Sequence, residues 1–167
     1  IRDSVEMGQG TTTGYATLIA EELGVRPDQI DIRSAPVDRE FQHPLQMTGA
    51  STSMAEMWLP LRQTGARARE MLQGAAARQW GVPEDRLRVA DGLVLDPETG
   101  TTLGFGELAA AAAERPVPAE PVLRKSSEYR WIGRRFPRVD SPEKVTGAAR
   151  YGMDVQVPGL RTAVVVH

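Results

Sequence analysis

The sequence predicts an α+β fold, and three observations carry that reading. Residues Thr11 to Leu23 place Tyr15, Leu18, Ile19 and Leu23 at helical spacing, behind Gly8-Gln9-Gly10 and ahead of Gly24. Ser53-Met54-Ala55-Glu56 has the pattern of a capping box and opens a second, longer helix. Asp91-Gly92 sits between two short apolar runs, residues 87–90 and 93–95, as a two-residue hairpin turn.

The remaining elements follow in order. Residues 1–5 read as the end of a strand. On the first helix Glu21 and Glu22 fall on the side away from the apolar stripe. Pro27-Asp28 makes a turn, and Ile30-Asp31-Ile32 alternates like a short strand. Residues 35–49, with Pro36, His43, Pro44 and Gly49, are irregular. In the long helix Leu61, Gly65, Ala68, Leu72, Ala75 and Gln79 trace a narrow stripe of small residues that lets a neighbour pack closely. Pro60 kinks this helix or marks its true first turn, and Gly81-Val82-Pro83 ends it. Residues 97–100 form a further turn. Residues 102–114 read as an Ala-rich helix whose start is weakened by Gly104 and Gly106.

Pro116, Pro118 and Pro121 mark an extended linker with little capacity to pack. Residues 1–115 are therefore one unit, 116–137 a linker, and 138–167 the start of a second unit. That second unit is expected to hold a strand pair or bent strand over 145–155 and a strand over 160–166. No internal repeat is visible.

Composition excludes several classes. The net charge of −2 argues against a general nucleic-acid binder. The absence of cysteine excludes an iron–sulfur cluster, a thiolate zinc site or a disulfide within this chain. His43 and His167 are the only imidazoles, without metal-ligand spacing, so no metal site is assigned. No apolar run approaches the roughly 20 residues that span a bilayer, and no secretory signal is visible. The chain begins at Ile1 and ends in a β-like run, and it reads as cut at both ends.

Two loops carry the candidate chemistry. Gly8, Gln9, Gly10 and Thr13 precede or open the first helix, and Gly49, Ala50, Ser51, Thr52 and Ser53 precede or open the second. Each offers backbone N–H groups and hydroxyls at the positive end of a helix dipole, chemistry suited to an anionic cofactor. The plainer alternatives are a glycine turn and a Ser-rich cap. Neither loop is a dinucleotide fingerprint or a phosphate-binding loop ending in Lys, which disfavours a nucleotide enzyme. His43 is either a proton carrier or cofactor ligand, or an ordinary loop histidine. Glu6 is either a general base or a salt-bridged or solvated carboxylate. Trp58, Trp80 and Trp131 are packing residues. Arg33, Asp38 and Arg39 are surface charge. Arg134, Arg135 and Arg138 form a small basic cluster that touches a cofactor phosphate or partner, or lies on a solvated surface.

These residues resemble a known family. Glu6-Met7-Gly8-Gln9-Gly10, the helix end Ala20-Glu21-Glu22-Leu23 and the loop Thr48-Gly49-Ala50-Ser51-Thr52-Ser53 are similar to the molybdopterin-binding region of the xanthine oxidase family. Residues 144–154, Lys-Val-Thr-Gly-Ala-Ala-Arg-Tyr-Gly-Met-Asp, resemble the opening of that family's hammerhead domain. Their order resembles the isoquinoline 1-oxidoreductase beta-subunit type, also described as membrane-bound aldehyde dehydrogenase large subunits.

The resemblance implies a molybdopterin-binding segment of a molybdenum hydroxylase large subunit, followed by the start of a hammerhead domain. It implies molybdopterin with molybdenum, in the cytosine dinucleotide form, and hydroxylation of an N-heterocycle or aldehyde carbon with oxygen from water. It places the [2Fe-2S] clusters on a small partner subunit, with a cytochrome as a further acceptor and the remainder of the large subunit as a partner. No catalytic residue is assigned, because the family's catalytic glutamate has no match here. Gly104-Phe105-Gly106-Glu107 imitates its setting in the wrong region. The chain alone is expected to be inactive. Export signals in such relatives favour the periplasm without fixing the compartment. The rival expectation is a non-catalytic interaction or assembly module that retains the fold.

Overall fold

The computed structural model describes residues 5–36, 38, 40 and 47–166. The readings for residues 1–4, Arg39, His43 and His167 lie outside the described residues. Helix α1 spans Thr11–Leu23 and α2 spans Ser53–Trp80. A hairpin of β1 (Arg88–Ala90) and β2 (Leu93–Leu95) is followed by β3 (Thr102–Gly104), α3 (Phe105–Ala113) and α4 (Ser141–Thr146). The chain is mixed α/β, as expected.

Helix α1 ends where the sequence predicts. Gly24 adopts φ 81°, and its N–H closes on the Ala20 carbonyl. Helix α2 begins as expected, but its capping box does not form. The N-cap is Thr52 and makes no side-chain cap hydrogen bond, so Ser53 is the first helical residue. Pro60 lies inside the helix, which continues through it. The small-residue stripe does allow close packing. A Cβ on Gly65 would stand 2.6 Å from the Ile19 carbonyl oxygen, so α1 and α2 meet almost backbone to backbone there. Ala66 is fully buried in the same seam, whereas Gln79 at the end of the stripe is exposed.

The sheet is antiparallel in the order β1-β2-β3, with Val89 opposite Val94 and Val94 opposite Leu103. Asp91 (φ 53°) and Gly92 (φ 79°) both take the left-handed conformation that a tight hairpin turn requires. Residues 102–104, expected as the start of a helix, pair with β2 instead. Ladder hydrogen bonds to β2 hold them extended, and Leu103 packs beside the core there. The core gathers Leu72, Ala75, Ala76 and Ala77 of α2, Leu87, Val89 and Val94 of the hairpin region, and Leu108 and Ala112 of α3. Each fully buried Leu or Val in it contributes about 1.5–3 kcal/mol.

Three further expectations are corrected. Residues 30–32 are irregular and not a strand, for no sheet edge is paired with them among the described residues. Glu21 and Glu22 are not on a solvated face: they are 1% and 0% exposed. The Glu22 carboxylate accepts from Arg62 Nε (2.8 Å), Arg69 Nη1 (3.1 Å) and the Arg124 N–H (2.9 Å). The Glu21 carboxylate accepts from the backbone N–H groups of Arg130, Trp131 and Ile132 at 2.7–3.1 Å. Ionised side chains tolerate such burial only when paired and hydrogen-bonded like this. Consequently the stretch expected to have little capacity to pack is docked. Pro121 is buried, Arg67 donates to the carbonyls of Pro118 and Ala119, and Trp131 Nε1 donates to the Val25 carbonyl.

The strands expected after residue 138 do not form among the described residues. Residues 144–146 belong to α4, Gly152–Asp154 is a short 3-10 turn, and 155–166 are irregular. Val164, Val165 and Val166 are each more than 80% exposed. A β-prone run without a partner strand has no ladder to join.

Candidate functional site

The first loop is organised around one carboxylate. Glu6 Oε1 accepts from the N–H groups of Gly8 and Gly10, each at 2.9 Å, and Oε2 accepts from the Thr12 N–H at 3.0 Å. Burial pushes the Glu6 pKa up, but the N–H groups of Thr12, Gly10 and Gly8 outweigh it and hold the carboxyl at about 2. Glu6 is therefore an internal anion at the positive end of α1. At neutral pH it is a permanently ionised structural group and not a general base. Gly10 serves this geometry through its left-handed backbone, φ 87°.

The other first-loop residues are also engaged. Gln9 Oε1 accepts from the Met7 N–H (2.7 Å), and Gln9 Nε2 donates to the Val5 carbonyl (3.0 Å). Thr13 Oγ1 accepts from the Val139 N–H (3.1 Å).

The second loop is built differently. Ala50 and Ser51 hold φ values of 49° and 58°, left-handed conformations that cost a residue with a Cβ on the order of 1 kcal/mol each. Thr52 turns back, its N–H donating to the Gly49 carbonyl at 3.3 Å. Among the described residues, the N–H groups of Gly49, Ala50 and Ser51 and the hydroxyls of Ser51 and Ser53 have no partner. The loop thus presents donors at the start of a 28-residue helix.

The fold brings the two loops together. The Val5 N–H donates to Thr48 Oγ1 (2.8 Å), and Tyr15 Oη donates to the Ser53 carbonyl (3.2 Å). Between them lies a cleft of about 360 Å³. Gln9, Gly49, Ala50, Ser51 and Ser53 line it, together with Met7, Thr11, Thr48 and Met54. Gly8, Gly10, Thr13 and Thr52 shape the loops without lining the cleft. No group of three or more His, Asp or Glu residues with metal-binding geometry occurs among the described residues.

Arg138, one of the three arginines of the small basic cluster, is part of this assembly. Its Nη1 donates to the Gly8 carbonyl (2.9 Å), and its Nη2 lies 3.4 Å from Glu6 Oε1. Its fork is held by Asp140 at 2.9 and 2.7 Å. Arg134 and Arg135 are exposed. Nothing in the spacing announces the pairing of Glu6 with Arg138, which are 132 residues apart. The imitation motif at residues 104–107 has a local role: Glu107 Oε2 accepts the Gly104 N–H at 2.7 Å and caps α3.

Two helix-opening loops thus share one cleft, with unpartnered donors on one side. The Molybdopterin cofactor-binding domain family matches residues 2–159, and the chain belongs to that family, within the xanthine oxidase group of oxidoreductases. The chain is 34% identical to the beta chain of isoquinoline 1-oxidoreductase from Brevundimonas diminuta, over 97% of this chain and 26% of that protein. It is 35% identical to a nicotinate dehydrogenase subunit from Pseudomonas putida, over 93% of this chain and 13% of that one. It is 33% identical to a membrane-bound aldehyde dehydrogenase (pyrroloquinoline-quinone) of Gluconacetobacter polyoxogenes, over 93% and 20%. The chain thus spans about a quarter or less of the length of these curated relatives.

Proposed function

We propose that this chain holds the molybdopterin cofactor of a molybdenum hydroxylase large subunit. The observation that carries the reading is the row of unpartnered donors on Gly49, Ala50, Ser51 and Ser53, facing Gln9 across one cleft. These donors fit the phosphate and pterin chemistry of such a group. The two loops divide the work. Glu6 already occupies the N–H groups at the head of α1, so the second loop, at the head of α2, binds the anionic part of the cofactor. Gln9 and Met7 line the opposite wall. Gly8, Gly10, Thr13 and Thr52 hold the loops in shape.

When bound, the molybdenum centre supplies the redox chemistry that hydroxylates an N-heterocycle or aldehyde carbon with oxygen from water. This chain orients that group, and the general base belongs to the remainder of the large subunit. The same reading includes the cytosine dinucleotide form of the cofactor, a [2Fe-2S] small subunit, a cytochrome acceptor and a periplasmic location. It divides the chain into 1–115, a docked connection over 116–137, and the opening of a hammerhead domain over 138–167. On this reading residues 160–166 become a strand once the remainder of that domain supplies an edge.

The test is metal and pterin analysis of the complete polypeptide purified with its partner subunits. The expected result is molybdenum and a pterin dinucleotide at about one per subunit. Their absence from cells that make the cofactor would favour the non-catalytic module. A quinone in their place would favour the cofactor named in the Gluconacetobacter relative.

A further inference from the structure

From the geometry we infer that residues 138–140 form a strap that holds the first cofactor loop in its binding shape, with Arg138 as a positioning residue. This rests on the cofactor reading above.

The strap meets the loop at three points. Arg138 Nη1 binds the Gly8 carbonyl at 2.9 Å, its Nη2 approaches the Glu6 carboxylate at 3.4 Å, and the Val139 N–H binds Thr13 Oγ1 at 3.1 Å. Gly8 and Glu6 precede α1, and Thr13 lies in its first turn. Between them these contacts fix both ends of the segment that carries Gln9.

The strap is itself anchored. Asp140 grips the Arg138 guanidinium through both carboxylate oxygens, and Lys144 Nζ of α4 donates to Asp140 Oδ2 at 2.6 Å. The result is a chain of alternating charge: Lys144, Asp140, Arg138, Glu6 and then the positive end of α1. Each member lowers the cost of its neighbours, and the side chains of Glu6 and Asp140 are only 13% and 16% exposed. Helix α4 follows the connection out of the first unit. Its placement is therefore coupled to the shape of a loop more than 120 residues earlier in the chain.

The experiment uses the complete polypeptide with its partner subunits. Amide hydrogen exchange of residues 8–12 is measured beside pterin and molybdenum content in wild type, Arg138→Gln, Arg138→Lys and Lys144→Gln. Loss of Arg138 removes charge-assisted hydrogen bonds from a partly exposed site. Arg138→Gln is therefore expected to exchange about fivefold faster in the loop, and its pterin content to fall about as much. Arg138→Lys keeps the charge without the fork and recovers part of both. Lys144 lies at the exposed end, so Lys144→Gln, with an expected effect of about twofold, serves if Arg138→Gln fails to fold.

Unchanged loop exchange overturns the strap. Faster exchange with full pterin content also overturns it, because the loop's shape would then not matter to the cofactor. Wild type devoid of pterin refutes the cofactor reading instead, and the exchange data then judge the strap by themselves.

Discussion

Acidification should release the first loop before it unfolds the core, and replacing Glu6 by Gln tests this. In the folded protein the Glu6 carboxyl titrates at about 2, against 4.5 for a free glutamate. That difference amounts to about 3 kcal/mol in favour of the charged, folded form. The sign follows from a depressed pKa. The contribution is fully present above pH 4.5 and is lost as pH falls through 2. Urea unfolding of wild type and Glu6→Gln, at steps between pH 7 and pH 2, reads the effect directly. At pH 7 the variant is expected to be less stable by about 3 kcal/mol, because a neutral amide offers Gly8, Gly10 and Thr12 a weaker acceptor. The gap should narrow below pH 4.5 and close near pH 2. A gap that is constant over this range, or absent at pH 7, would refute the assignment of Glu6 as an internal anion.

Two further outcomes follow from the interior. Glu22→Leu leaves Arg62 and Arg69, whose side chains are 9% and 11% exposed, without their carboxylate. A loss of about 3–5 kcal/mol in urea unfolding is expected, and a loss under 1 kcal/mol would show the network to be dispensable. Gly65→Val drives a side chain into the Ile19 carbonyl and against Glu22 Cβ, 3.0 Å from the new Cβ position. The helices must part, at a cost of about 1–3 kcal/mol. An unchanged melting temperature would mean that the seam between α1 and α2 gives way freely.

Local chemistry made much of this fold legible. Helix α1 was readable because Gly10 and Gly24 punctuate an amphipathic stretch, and the hairpin because Asp91-Gly92 permits few other turns. The two loops could be paired from motif resemblance, and the structure sets both on one cleft. What was not legible depends on distant partners. Residues 102–104 look helical until β2 offers an edge. Residues 30–32 look like a strand but meet no such edge among the described residues. Glu21 and Glu22 carry charges that ordinarily mark a solvated face. Only the fold shows them gathering arginines and backbone N–H groups from as far as residue 132. The sequence leaves Glu6 between a general base and a salt-bridged or solvated carboxylate for the same reason: most of its partners are backbone N–H groups, which leave no trace in a list of side chains.

The buried carboxylates on α1 also bear on the order in which the molecule is made. A chain leaves the ribosome from its N-terminus, and its early segments fold first when their contacts are local. Here Glu21 waits for the amides of residues 130–132, and Glu6 waits for Arg138. Thus the first loop to emerge is among the last to be finished. Until residue 140 is free of the ribosome, Glu21 and Glu6 lack these partners and sit beside an incomplete core. A product terminated before that point would carry both loop sequences in full and still lack the contacts that hold Glu21 and Glu6.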